Sequence, residues 1–126
     1  MFEVRVESRF VAQHQLTLPE IGTEPLHEHN WGVRVTVVGQ HLDDDGLLVD
    51  FGLLRRRIAD ILRPLDGRNL NELAVFARQG PSAENVALHV ADHFAGELPN
   101  AVRLAQVEIE EEPGCVARYL PPHGSR

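Results

Sequence analysis

The chain has 126 residues, 43% hydrophobic and 25% charged, with a formal net charge of −7. That size supports one hydrophobic core rather than two, and the acidic balance argues against the basic surface that nucleic-acid binding needs. With a single cysteine, Cys115, no internal disulfide can form; no apolar run is long enough to span a membrane, and Met1-Phe2-Glu3-Val4-Arg5 lacks a signal-peptide core, so a cytoplasmic protein is expected.

Residues 2–16 read as a strand. Phe2, Val4, Val6, Phe10, Ala12, His14 and Leu16 share one parity, and Glu3, Arg5, Glu7, Arg9 and Gln13 take the other. Pro19, Gly22 and Pro25 mark residues 17–26 as a loop. Leu26-His27-Glu28-His29-Asn30-Trp31 then leads into a second strand, expected over 31–41. His27, His29, Trp31, Val33, Val35 and Val37 fall on one face of it. Two imidazoles at i and i+2 can chelate one metal ion; the plain alternative is two polar residues ahead of a strand.

Asp43-Asp44-Asp45-Gly46 is a turn, followed by extended Leu47-Leu48-Val49. The acidic turn lacks the spread of ligands and the terminal glutamate of a calcium-binding EF-hand loop. Asp50 is placed to cap a helix whose apolar stripe is Phe51, Leu54, Ile58, Ile61, Leu62 and Leu65. Arg55, Arg56, Arg57 and Arg63 lie on its other side as a solvated face. Asp50-Phe51-Gly52 matches a kinase tripeptide, but no other kinase element accompanies it. The helix ends in the stretch Pro64 to Asn69.

Pro81-Ser82 opens a second helix, with Ser82 as cap and Ala83, Val86, Ala87, Val90, Phe94 and Leu98 as stripe. His89 and His93 stand one turn apart, also a chelating spacing, on a face expected to meet solvent. In the strand expected over 101–112, Ala105, Val107 and Ile109 alternate with Gln106, Glu108 and Glu110. Glu111 continues the apolar parity, so its carboxylate needs a partner, a shifted pKa or a ligand. Glu110 and Glu112 should face solvent. Cys115 to Leu120 forms a last strand, and residues 121–126 are expected to fray. One domain thus covers 1–120. The order ββααββ predicts an α+β fold, a four-stranded antiparallel sheet with two helices on one face. Its open edges predict self-association.

Six motifs in order resemble those of the 6-pyruvoyl tetrahydropterin synthases and the related 6-carboxy-tetrahydropterin synthases. Phe10-Val11-Ala12-Gln13-His14-Gln15-Leu16 resembles F-x-A-x-H-x-L, and His27-Glu28-His29-Asn30-Trp31 resembles H-G-H-N-Y. Gly46-Leu47-Leu48-Val49-Asp50-Phe51 is similar to G-x-V-x-D-F, Leu65-Asp66-Gly67-Arg68-Asn69-Leu70-Asn71 to L-D-H-K-N-L-N, and Pro81-Ser82-Ala83-Glu84-Asn85 to P-T-x-E-N. Glu111 and Tyr119 match the spacing of the final E-T…Y. The resemblance implies the tunnelling fold, with subunits closing their sheets into a barrel, two rings stacking into a homo-hexamer, and sites at the interfaces. It implies zinc on His14, His27 and His29. It further implies a pterin gripped by Glu111 in a pocket lined by Ser82, Ala83 and Glu84. A glutamate suits a pterin, whose 2-amino group and N3–H present two adjacent donors.

The departures fall on the chemistry. The family's cysteine lies a few residues before H-G-H, where this chain has Ile21-Gly22-Thr23-Glu24-Pro25-Leu26. Cys115 lies elsewhere, and the histidine after the motif's aspartate is Gly67. Of the cysteine, aspartate and histidine triad only Asp66 remains. The glycine between the two metal histidines is Glu28, which puts the backbone there in question. The expectation is a pterin-binding homologue that does not run the parent synthase reaction and acts on another pterin or purine-like substrate. Some relatives use a glutamate in place of the cysteine; Thr23 aligns with that position and Glu24 is its neighbour. The alternative is a non-catalytic pterin-binding or assembly module.

Overall fold

The structure is a computed structural model that describes residues 1–94, 96, 98–99 and 101–122. The elements are β1 (Phe2–His14), β2 (Thr17–Leu18), β3 (Gly22–Thr23), β4 (His27–Gly39), α1 (Phe51–Leu62), α2 (Ala83–Phe94), β5 (Arg103–Glu112) and β6 (Cys115–Tyr119). Two short 3-10 turns, Leu70–Glu72 and Ala74–Phe76, lie between the helices. β1, β4, β5 and β6 form an antiparallel sheet in that spatial order, and β2 and β3 make a small separate hairpin. Of the tail expected to fray, residues 123–126 lie outside the described residues.

The alternating pattern fixes which face is buried. Val6, Phe10, Val33, Val35, Val37, Val107 and Ile109 turn one face of the sheet toward Leu54, Ile58 and Leu62 of α1 and Val86, Val90 and Phe94 of α2. The opposite face carries charge: Arg34 Nη1 donates to Glu108 (2.6 Å) and Nε to Glu7 (3.2 Å). Asp50 caps α1 by accepting from the Gly52 amide at 3.1 Å. Arg57 departs from the expected solvated face. Its guanidinium lies 5.5 Å from the centroid of Phe94 and donates to the carbonyls of His93 and Phe94, so it ties α1 to the end of α2.

Several boundaries differ from the sequence pattern. β1 ends at His14, and β4 begins at His27 rather than Trp31, because the β1–β4 ladder runs on through Ala12 opposite His29 and His14 opposite His27. Leu47-Leu48-Val49 is not a strand. The Asp43 carboxylate takes the amides of Asp45 and Leu47, which closes the turn, and Leu48 and Val49 go straight into the core. In β5 a register shift leaves Thr36 opposite Gln106 but Val37 opposite Leu104. This bulge at Ala105 reverses the parity, so Leu104 and Val102 are buried in its place. Residues 17–26 hold the β2–β3 hairpin inside the expected loop.

The outer edge of β1 is only half covered. The segment from Asp66 to Asn71 runs along it. The Gly67 amide donates to the Val11 carbonyl, the Gln13 amide to the Arg68 carbonyl, and the Gln15 amide to Asn71. Gly67 has φ +76, a left-handed angle that a histidine would strain to adopt. Before Val11 the outer edge of β1 has no backbone partner among the described residues, nor has that of β6.

Candidate metal centre

The long β1–β4 ladder sets three histidines together. His14 and His27 are directly opposed, and His29 follows on the same face of β4. Their ring centroids lie 4.6–5.2 Å apart. Trp31, fully buried, forms the floor: its ring stacks on Phe10, its Nε1 donates to the Ala12 carbonyl at 3.1 Å, and His14 meets it edge-on at 4.8 Å. Glu28, in the glycine position of the motif, sits in regular ladder opposite Gln13 with its side chain exposed. It is not among the residues with positive φ, so the backbone there accepts a side chain without strain.

Two of the imidazoles are held through Nδ1. His14 Nδ1 lies 2.8 Å from the Pro81 carbonyl and His27 Nδ1 lies 2.8 Å from the Pro25 carbonyl. A carbonyl oxygen can only accept, so in both rings Nδ1 carries the hydrogen and Nε2 the lone pair. His29 Nδ1 faces Glu112 Oε1 at 3.8 Å. Both His14 Nε2 and His29 Nε2 are buried without a hydrogen-bond partner. Burial lowers the pKa of His14, outweighing the Pro81 bond and nearby Glu111 that raise it, so the ring stays neutral near pH 7. A neutral imidazole with its Nδ1 hydrogen-bonded and its Nε2 lone pair free, as in His14, is the form that ligates a divalent transition metal.

Glu111 completes the group. One ligand atom from each of His14, His27, His29 and Glu111 lies within 4.8 Å of all the others. Glu111 Oε2 is 3.4 Å from His29 Nε2 and 3.9 Å from His14 Nε2. A second register shift, between Glu110 and Glu112, places Glu111 at a bulge beside β6. Glu112 does not simply face solvent, as its parity suggests, since it reaches His29. Glu110 does lie on the charged face, toward Arg9 and Arg34.

The remaining candidates are spread around this group. Ser82 is half-buried, and its Oγ accepts from the Asn85 amide at 3.1 Å, capping α2. Ala83 is half-buried and Glu84 exposed at the same helix start, which reaches the histidines through Pro81. Glu24 is half-buried; its Oε1 accepts from the Leu16 amide at 3.0 Å. Thr23 instead exchanges a hydroxyl hydrogen bond with Thr17. A cleft of about 500 Å³ runs past Leu16, Thr23 and Ser82. Asp66 is not in the histidine group: its carboxylate accepts from the Val11 amide at 2.9 Å, on the outer edge of β1. Cys115 is exposed. What the residue pattern missed were the two proline carbonyls and Glu112. The carbonyls leave no side-chain signal; Glu112 was visible only as one acid in a run of three.

His89 also departs from expectation. It packs on Phe76, its Nδ1 is buried and unpartnered, and burial lowers its pKa, with His93 adding to the effect. It lines a cleft of about 480 Å³ between the helices. Among the described residues no third metal-ligating side chain joins His89 and His93 in a chelating group.

The sheet, the two helices on one face and the histidine–glutamate group define an α+β protein of the tunnelling fold. The sequence profile of the 6-pyruvoyl tetrahydropterin synthase family matches residues 3–122, and the chain belongs to that family. It is 30% identical over 102 residues to the dihydroneopterin monophosphate aldolase of Pyrococcus furiosus, covering 81% of this chain and 82% of the relative. It is 28% identical to the 6-carboxy-5,6,7,8-tetrahydropterin synthase of Bacillus subtilis, covering 98% of this chain and 88% of the relative. The fold matches that of Caenorhabditis elegans 6-pyruvoyl tetrahydropterin synthase with a TM-score of 0.81 at 22% identity, over 96% of each chain. It also matches a Plasmodium vivax 6-pyruvoyltetrahydropterin synthase whose catalytic residue, a glutamate, is replaced by alanine, with a TM-score of 0.76 at 19% identity, over 94% of this chain and 96% of the other. No helix among the described residues is long and apolar enough to cross a membrane.

Proposed function

We propose that the chain is a metal-dependent pterin side-chain lyase that cleaves a carbon–carbon bond, in the manner of an aldolase, and does not run the parent synthase reaction. The observation that carries it is the convergence of three imidazoles, with Nδ1 of His14 and His27 anchored on backbone carbonyls and the Nε2 atoms of His14 and His29 buried without a partner. A non-catalytic pterin-binding or assembly module has no need of nitrogens prepared in this way. The cleavage assignment draws on the Pyrococcus furiosus relative and on the absence of a thiol before His27 and an imidazole at position 67.

The donor set fits zinc, held by His14, His27 and His29. Bound there, the ion lowers the pKa of a substrate hydroxyl it meets. Glu111 grips the pterin through the 2-amino group and N3–H, and Ser82, Ala83 and Glu84 border the ring at the start of α2. Glu24 takes the place of the missing thiol. Its Oε1 is held by the Leu16 amide and its Oε2 has no hydrogen-bond partner among the described residues. Glu24 removes the proton of the side-chain 2′-hydroxyl. The C1′–C2′ bond then breaks, its electron pair moves into the ring C6=N5 imine, and a carbonyl forms at C2′, which leaves as an aldehyde. The proton returns to C1′, giving the 6-hydroxymethyl pterin. We assign Asp66 the holding of the Asp66–Asn71 segment against β1 rather than proton transfer. The bare edges of β1 and β6 lie on opposite sides of the sheet, so copies join head to tail into a closed ring, two of which make the hexamer. A stable monomer in sedimentation at micromolar concentration would rule out that assembly.

Zinc-loaded protein incubated with 7,8-dihydroneopterin or its monophosphate should release 6-hydroxymethyl-7,8-dihydropterin, followed by chromatography. Dihydroneopterin triphosphate should give no synthase product, since a lost general acid or base typically costs about a hundredfold to ten-thousandfold. Synthase product at rates ordinary for an enzyme, with no cleavage of dihydroneopterin, contradicts the proposal.

A further inference from the structure

The Glu111 carboxylate stands where two roles compete. Among the described residues no N–H group or guanidinium holds it; its nearest charged or polar partners are the Nε2 atoms of His14 and His29, with a nitrogen of His27 also within 4.8 Å. The Pro81 bond makes His14 Nε2 a lone-pair nitrogen. A carboxylate oxygen facing that lone pair is repelled unless a cation lies between them. The spacing suits a metal: ligands about 2.0–2.1 Å from a tetrahedral ion lie about 3.3–3.4 Å from one another. Glu111 Oε2 is 3.4 Å and 3.9 Å from two of the imidazole nitrogens.

We infer that Glu111 is the fourth protein ligand of the metal in the pterin-free protein, and that it leaves the metal to grip the pterin when one binds. The inference rests on the metal and pterin site proposed above. Gripping a pterin with two parallel hydrogen bonds uses both carboxylate oxygens. A bond to metal takes one of them, so the two states exclude each other. The coordination position therefore opens when the substrate arrives and is closed otherwise. By linkage, pterin binding and the carboxylate–metal bond oppose one another. The bulge beside Glu110 and Glu112 sets this residue off from the regular ladder, and its side chain is 26% exposed, which leaves it room to turn.

Cobalt(II) in place of zinc reports the coordination through its visible absorption. In the wild type, addition of neopterin should change that spectrum as the carboxylate is exchanged. Glu111→Ala and Glu111→Gln should show an altered cobalt spectrum before any pterin is added, and should bind zinc at least about tenfold more weakly, ~1.4 kcal/mol. Glu110→Gln, on the charged face, should do neither. X-ray absorption on the zinc-loaded wild type tests the same exchange without any variant. If both Glu111 variants keep the wild-type zinc affinity and cobalt spectrum but lose neopterin, Glu111 is a pterin anchor alone: the inference falls and the pterin site stands. A wild type that takes up neither zinc nor cobalt overturns both.

Discussion

Two histidine pairs in this chain have chelating spacing, His27 with His29 on β4 and His89 with His93 on α2, and among the described residues only the first is built into a converging group. Around His27 and His29, a second strand supplies His14, a third supplies Glu111, and loop carbonyls hold two of the Nδ1 atoms. Around His89 and His93 the one ring-nitrogen hydrogen bond stays within the helix, His93 Nδ1 donating to the His89 carbonyl at 2.9 Å, and Phe76 packs alongside. Spacing places two nitrogens on one face. Elements distant in sequence decide whether those nitrogens meet a third and in which tautomer.

The sharpest way to separate the two pairs is to remove what each leans on. Trp31→Ala deletes the floor beneath His14 and should cost about 3–5 kcal/mol of stability. Phe76→Ala should cost a similar amount beneath His89. Both are measured by urea unfolding, but only the Trp31 variant should lose zinc. At the histidines themselves, His14→Ala leaves the buried Pro81 carbonyl unpaired and should cost about 1–3 kcal/mol. His93→Ala, at an exposed position, should stay within about 0.5 kcal/mol in the same measurement. Neighbouring acids give a finer contrast: Glu111→Gln should weaken neopterin binding at least about tenfold by fluorescence quenching, and Glu110→Gln should leave it nearly unchanged. Glu112 cannot serve as that control, because it faces His29.

The smallest expected effect concerns pH. His89 has a folded-state pKa below 6.5, so below that pH the unfolded chain takes up the proton more readily than the folded one. Its contribution to stability is therefore full above pH 6.5 and is lost as pH falls. His93 and Asp92 on α2, with Arg57 and Asp60 of α1 across the cleft, set the local charge. In metal-free protein His14 acts in the same direction. Melting temperatures recorded from about pH 7 down to 5 should fall, and His89→Gln should flatten that slope.

Much of the architecture was legible because alternation of apolar and polar residues survives in β1 and β4, and the expected helix stripes include Leu54, Ile58 and Leu62 of α1 and Val86, Ala87, Val90 and Phe94 of α2, which are buried, although Phe51 is exposed and Leu65 and Leu98 lie beyond the helix ends. The misplaced boundaries have particular causes. His27 and Glu28 carry little strand propensity, yet the partner strand extends their ladder. The bulge at Ala105 leaves no mark in a sequence that alternates on both sides of it. Leu47-Leu48-Val49 looks like a strand because its residues are apolar, yet Leu48 and Val49 go to the core without a ladder and Leu47 stays exposed. At the candidate site, the histidines and Glu111 followed from parity and resemblance, since side chains carry their own signal. The Pro25 and Pro81 carbonyls that set the tautomers belong to the backbone of loops, and only the folded chain brings them to the rings.

The most direct test is metal content per chain, by mass spectrometry after zinc loading and gel filtration, in three proteins. The account predicts about one zinc per chain in the wild type, retained when His89 and His93 are both changed to alanine and lost in His29→Ala. Zinc that stays with His29→Ala but leaves with the helix pair, or a wild type that holds none, would contradict it.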